Sequence, residues 1–287
     1  PYRTRSLTSI GDEADQIMEL GIEAVDFTDD MLTLDRKRFA AVLDIYAPRR
    51  LTLSAMNGLY AETLNENILN LMFAAGFRRL NFSLVDLAPA VLATEGRNAL
   101  PKLLDLLPWL ETSPFLTEVH FIAGLPGQRP AELLETLLFL MEKRVLLAPS
   151  IFYAAPGSPH FGSSAAIPFS HMRSSAMFGS SPQWTKPTLA TIVRLSRFIT
   201  YVKGIIDRTD GIETLHDVIA FLATEGRTSE REILSALYND GQIMAARKRG
   251  KGLVVEIGER YLVRLFFERA RGKRIKGFKS SRSIGIS

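Results

Sequence analysis

Apolar residues follow two alternating rhythms through the first half of the chain. A spacing of three and four residues joins Ile10, Ala14, Ile17 and Leu20, then Phe39, Val42, Leu43 and Tyr46, then Leu64, Ile68, Leu71, Met72 and Ala75. It returns at Leu100, Leu103, Leu104 and Leu107, and again across 131–142. Such spacing predicts amphipathic helices with one face buried. Between them lie short apolar runs at 24–28, 51–55, 79–84, 119–123 and 145–153, which read as strands. Punctuation agrees with both rhythms. Ser6 or Ser9 can cap the first helix and Asp35 the second, while Gly21 and Gly76 stand where helices end. Helix and strand thus alternate about five times, which implies parallel strands joined by right-handed helical crossovers. The expected fold class is α/β, a partial TIM-like barrel of parallel strands, with a doubly wound sheet as the second choice. The series starts on a helix, so the strand that should precede it is missing.

The rhythm stops after residue 153. Residues 154–187 hold five prolines and many Ser and Gly, and read as an irregular lid or linker. Beyond them, helical spacing returns near 188–205, 213–225 and 229–240, and 252–268 reads as a β-hairpin with Gly258 near its turn. The expected organisation is a barrel-like domain over 1–160, the irregular segment over 161–187, and a mostly helical domain with a small hairpin over 188–287.

Composition narrows the class. The chain has 287 residues, 46% hydrophobic and 23% charged, an ordinary globular balance. It has no cysteine, which removes disulfides, thiolate nucleophiles and cysteine-held metals from its own chemistry. No apolar run reaches the roughly 18 residues of a membrane span, and PYRTRSL lacks a signal-peptide core. A cytoplasmic setting is expected, and the absence of an initiator Met suggests a trimmed or partial chain. Charge is uneven: residues 242–287 carry 13 Lys/Arg against 3 Asp/Glu, whereas the remainder carries 22 against 28. A basic tail can attract nucleic acid or an acidic partner, but the preferred reading is a solvated, partly frayed terminus.

In parallel α/β folds ligands lie beyond the carboxyl ends of the strands. There the sequence offers Thr28, Asp29 and Asp30, then Asn57-Gly58, then Ser83 and Asp86, then Gly124, Pro126 and Gly127, and finally Tyr153, Pro156 and Gly157, with Arg97 a short way past the third strand. Asp29-Asp30 either caps a turn or accepts hydrogen bonds from a cationic amine. Asn57-Gly58 reads as turn chemistry. Ser83 either satisfies nearby backbone or binds a sugar hydroxyl, and Arg97 is either a surface residue or a fork for a carboxylate. His120 reads as structural, His216 as a surface residue, and His160 and His171 fall in the irregular segment. The Gly124–Gly127 turn lets main chain approach a flat ligand closely. P-loop, dinucleotide-binding, HExxH and Gly-x-Ser-x-Gly patterns are absent.

These stretches together resemble the radical S-adenosylmethionine (SAM) enzymes, and most of all those that carry a cobalamin-binding domain. The matching words are RTRS at 3–6, DFTDDMLTLDR at 26–36, AMNGLY at 55–60, LMFAAGFRRLNFSL at 71–84, FIAGLPGQ at 121–128 and FYAAPGSP at 152–159, in order from residue 3 to about 160. The resemblance implies a partial TIM-like barrel in which a [4Fe-4S] cluster binds SAM and cleaves it to a 5′-deoxyadenosyl radical. By position, Thr28, Asp29 and Asp30 match the motif that holds the SAM amino group, Ser83 the residue near the ribose, and Arg97 the partner of the carboxylate. Ile122 and Gly124 would flank the adenine, with Tyr153 nearby. The resemblance further implies cobalamin bound by an upstream domain and a reductant such as flavodoxin or ferredoxin. Hydrogen abstraction or methyl transfer would follow, on a substrate the sequence does not name.

Three departures stand out. Relatives carry a CxxxCxxC loop just before the RTRS word, and this chain begins where that loop ends. Val85 stands where many relatives have Glu, and Gln128 where an acidic residue is common. The leading expectation is therefore the C-terminal portion of a radical SAM enzyme, inactive without its cluster ligands. The alternative is a non-catalytic binding module with a basic RNA- or partner-binding tail. A TIM-like aldolase lacks the strand-end Lys for a Schiff base.

Overall fold

The computed structural model describes residues 4–29, 31–96, 100–155, 157–158, 160, 182–225, 228–246 and 252–278. Among them the chain forms two compact units, one of residues 4–84 and 100–119, the other of 85–96 and 120–278.

The first unit opens with helix α1 (Leu7–Glu19), whose N-cap Ser6 accepts from the Ser9 N–H. Strand β1 (Ala24–Asp26) pairs in parallel with β2 (Thr52–Ser54), Val25 standing opposite Leu53. Between them runs α2 (Arg36–Tyr46), capped by Asp35. Helix α3 (Glu66–Ala75), capped by Asn65, ends on Gly76 with φ at +119°. Parallel bridges Leu53–Phe77 and Leu59–Phe82 extend the register to β3 (Arg79–Val85). The rings of Phe27, Phe39, Tyr46 and Phe77 meet at centroid distances of 5.3–6.4 Å. Leu69, Met72 and Leu53 are buried in the same unit, which also holds α5 (Leu100–Leu110).

Strand β4 (Leu116–Ala123) is the middle strand of a three-stranded sheet of order β3-β4-β5, with β5 spanning Leu146–Ile151. Its alternating burial leaves Val119, Phe121 and Ala123 inward. The second unit adds α4 (Pro89–Thr94), α6 (Pro130–Met141) and the long α7 (Lys186–Ile206). It continues with α8 (Leu215–Thr224), α9 (Thr228–Ser235) and a π-helical turn over Ala236–Asp240. The expectation of an α/β fold with parallel pairing followed by a mostly helical C-terminal region holds.

The hairpin is displaced from its expected place. Strand β6 (Met244–Ala246) pairs antiparallel with β7 (Leu253–Val255), and residues after Glu259 form α10 (Arg260–Ala270). The run YLVRLFFERA contains strand-favouring residues, but Leu262, Val263, Phe266 and Phe267 share one helical face, and burying that face outweighs local propensity. Helix α10 packs on α6 and α7. Three cations of the basic tail bind acids of the same unit: Arg269 with Glu135 at 2.7 Å, Lys273 with Glu142 at 2.9 Å and Arg274 with Glu213 at 2.5 Å.

Candidate functional site

In the first unit the exit of β1 is tied to the exit of β2. The Asp26 carboxylate accepts from the Ser54 hydroxyl at 2.7 Å and from the Met56 N–H at 3.0 Å. The Asn57 amide donates to the Thr28 carbonyl at 2.5 Å. Asn57 thus adds to its turn a direct hold on the segment that carries Thr28 and Asp29. Both of those residues line a cavity of about 300 Å³ shared with Arg5, Glu13, Asp35, Arg38 and Tyr46. Arg5 pairs with Glu13 at 2.6 Å, and Asp35 is engaged as the cap of α2. Burial, and next the Glu13 carboxylate, push the Tyr46 phenol above its ordinary value.

Ser83 is exposed on β3 and does not line that cavity. Its neighbour Asn81 is buried; its amide N–H₂ reaches the Met56 sulfur at 3.2 Å, and among the described residues its carbonyl oxygen has no partner. Asp30 and Arg97 lie outside the described residues, as does His171.

In the second unit the end of β4 is built around a buried polar network. The chain bends at Gly124, with φ at +100°, and again through Gly127 at +78°. A Cβ on Gly124 would sit 3.3 Å from the Leu189 side chain in a backbone conformation that L residues avoid, so glycine is required there. The Gln128 side chain closes the bend. Its Oε1 accepts from the N–H groups of Gly124 at 2.9 Å and Leu125 at 3.3 Å, and its Nε2 donates to the Ile122 carbonyl at 2.8 Å. The same Nε2 donates to Asp86 Oδ2 at 2.6 Å. The other Asp86 oxygen accepts from the N–H groups of Leu87 and Ala88, at 2.6 and 3.1 Å, and from the Thr136 hydroxyl at 3.0 Å. Asp86 and Thr136 are 0% exposed and Gln128 1%.

Val85, immediately before Asp86, adopts φ +67° while only 2% exposed. A β-branched residue in the left-handed region is strained by about 1–3 kcal/mol, and such strain concentrates at functional turns. Trp184, 1% exposed, donates its indole N–H to the Gln128 carbonyl at 2.8 Å. One residue of the Pro/Ser/Gly-rich segment is therefore anchored on the bend.

Around this network, Ile122 is half-buried on β4. The end of β5 runs alongside, the Phe152 N–H donating to the Ala123 carbonyl at 2.9 Å, and the next residue, Tyr153, is 49% exposed. Ile122, Gly124 and Tyr153 thus belong to two adjacent strand ends. His160 pairs with Glu95 at 3.1 Å and sets its ring edge-on to Phe152, while His216 is exposed.

Sequence reasoning placed Asp86 at a strand end and Gln128 at the close of the turn but did not join them, and it missed Thr136 and Trp184. The available signal was an acid at 86 paired with an amide at 128, a combination that satisfies a buried carboxylate without a second charge.

The chain has no cysteine, and among the described residues no group of three His, Cys, Asp or Glu could hold a metal ion. These donors do not fit an iron–sulfur cluster, which is usually held by cysteine thiolates. An apolar half-buried side chain, an exposed phenol ring and a glycine bend do fit the flat faces and edge of an adenine. No helix among the described residues is long and apolar enough to cross a membrane.

No protein-family model matches the chain, and no curated protein matches it. Among solved structures it is similar to the radical S-adenosylmethionine methyltransferase TsrM from Kitasatospora setae with cobalamin and a [4Fe-4S] cluster bound. The TM-score is 0.47 and the identity 21%, over 54% of this chain and 33% of that one. A second TsrM structure, with tryptophan substrate and a SAM analogue, gives 0.43 and 20% over 50% and 30%. The Elp3 protein of Methanocaldococcus infernus gives 0.36 and 12% over 53% and 43%. The chain spans about a third of the length of the TsrM chains it matches.

Proposed function

We propose that this chain is the SAM-binding portion of a radical SAM enzyme. The reading rests on six sequence words in register and on one structural observation. Half-buried Ile122, the Gly124 bend and exposed Tyr153 stand at two adjacent strand ends, those of β4 and β5, which is where the resemblance puts the adenosyl group. In this proposal Ile122 and the Gly124 main chain flank the adenine, Tyr153 lies beside it, and Ser83 serves the ribose. Thr28, Asp29 and Asp30 take the amino group, and Arg97 pairs with the carboxylate. The chain's own part is to bind and orient the sulfonium. Its residues do not fit the [4Fe-4S] cluster, so the cluster's cysteines belong to sequence outside these residues, and no radical step is assigned to this chain alone. Hydrogen abstraction or methyl transfer on a substrate, with cobalamin in a further domain, is the activity proposed for the whole enzyme.

Titration of the chain with S-adenosylhomocysteine and with SAM, followed by calorimetry, tests the reading. Saturable binding is expected, weakened at least about tenfold, or 1.4 kcal/mol, by Ile122→Lys with the circular dichroism spectrum unchanged. No binding by the unmodified chain at millimolar ligand would overturn it.

A further inference from the structure

The network at the end of β4 is a matched pair of unlike groups, and its chemistry does not tolerate exchange of either member alone. Asp86 is a fully buried carboxylate whose four hydrogen-bond contacts are main-chain N–H groups, the Thr136 hydroxyl and the Gln128 amide. None of these groups carries a charge. Gln128 uses both ends of its amide. The oxygen accepts two N–H groups of the bend, and the nitrogen donates once to Asp86 and once to Ile122. A carboxylate at 128 would still accept from the bend but would face both Asp86 and the Ile122 carbonyl, acceptor against acceptor. An amide at 86 would turn its own N–H₂ toward that of Gln128. Only acid at 86 with amide at 128 satisfies every atom in this geometry.

We infer that Asp86 and Gln128 are a positioning pair, coupling the strained turn at Val85 to the Gly124–Gly127 bend and holding the main chain that an adenosyl ligand packs against. This rests on the adenosyl reading of the β4 end. The pair acts through the backbone and touches no ligand itself. The acid of this site resides at 86, one residue beyond Val85.

Gln128→Glu places two carboxyl groups in one buried site, and among the described residues none of the pair's hydrogen-bond partners is a cation. Two such groups share a proton, so the variant is competent when one is protonated and loses the arrangement as the pH rises and the second ionises. The groups facing the pair from the packed elements are the N–H groups of residues 87, 88, 124 and 125, the Ile122 carbonyl and the Thr136 hydroxyl. The Trp184 indole meets the Gln128 backbone carbonyl. None of these groups titrates in the working range, so the pH response belongs to the two carboxyls.

The test compares the unmodified chain with Gln128→Glu, Asp86→Asn/Gln128→Glu and Thr136→Val. Affinity for S-adenosylhomocysteine is measured from pH 5.5 to 8.5, with circular dichroism as the check on folding and peptide hydrogen exchange across 122–128. In folded Gln128→Glu, affinity should fall about tenfold or more between the ends of that range while the unmodified chain stays flat. Exchange at Gly124 and Leu125 should quicken in parallel. The double variant restores the acid–amide contact but leaves the Ile122 carbonyl facing a carboxylate, so it should recover part of the affinity and show a smaller pH dependence than Gln128→Glu. If Gln128→Glu does not fold, Thr136→Val decides, since it removes one contact to Asp86; a drop of a few-fold in affinity supports the pair. A folded variant with unchanged affinity and unchanged exchange at 124–125 would overturn the inference. If the unmodified chain binds no adenosyl ligand, the proposed function fails by itself. Hydrogen exchange then still reads whether the pair holds the bend: quickening at 124–125 supports that hold, and no change refutes it.

Discussion

Gly76 shows what a single residue decides. It ends α3 with φ at +119°, and a Cβ there would lie 2.0 Å from the Leu51 carbonyl oxygen. Backbone strain and a collision with fixed main chain act together. Gly76→Ala is therefore expected to cost more than about 3 kcal/mol, the upper end for backbone strain alone. The urea midpoint of the variant measures this, and a shift worth under about 1 kcal/mol would show that the helix end relaxes freely. Glycine at 76 was legible from sequence as a helix stop, because the apolar spacing ends there. The close approach of Leu51 was not, since it depends on where β2 lies.

Helices carry their own punctuation, and α8 carries it twice. Thr214 and Asp217 form a reciprocal capping box: the Asp217 carboxylate accepts from the Thr214 N–H at 2.8 Å and its hydroxyl at 2.7 Å. The Thr214 hydroxyl, and next the main-chain N–H groups of Glu213 and Thr214, hold the Asp217 carboxyl below its ordinary value of 3.8. A lowered folded value means the stabilisation is fully present above 3.8 and fades as the pH falls through the folded value. Asp217→Ala should cost about 1 kcal/mol at pH 7, and the difference from the unmodified chain should shrink below pH 4. Thermal melts at pH 7 and pH 3 check the sign; an equal deficit at both would argue against the carboxylate. At this scale α10 is the instructive case. Its apolar residues suit a strand or a helix, and the choice was made by the neighbouring faces of α6 and α7.

Across the second unit, closure depends on a lysine buried in α7. Lys203 in α7 is 0% exposed and donates to the Lys143 carbonyl and, at 2.8 Å, to the Lys276 carbonyl. It thereby joins the turn after α6 and the segment after α10 to one helix. Lys203→Met keeps the length of the side chain and removes two hydrogen bonds, at a cost of about 1 kcal/mol for each. The variant should melt earlier and be cleaved sooner by protease near 273–278. Cleavage at the unmodified rate would place the anchoring elsewhere, in the Lys273–Glu142 and Arg274–Glu213 pairs. These pairs also show that part of the basic tail's positive excess is paired with acids of its own unit.

The alternation of helix and strand, the cap at Asp35, the helix ends at Gly21 and Gly76 and the glycine bend after β4 were all determined by sequence alone, whereas the choice of Ser6 over Ser9 as the first cap was not. Each depends on periodicity or on the φ range a residue accepts, and both are properties of neighbouring residues. The tertiary structure alone decided that Asp86 meets Gln128 across 42 positions, that Trp184 seats on the bend, and that YLVRLFFERA is helical. Those outcomes depend on which distant surfaces must share a buried space. There an unpaired polar atom costs more than any local preference returns, and no local pattern records that constraint.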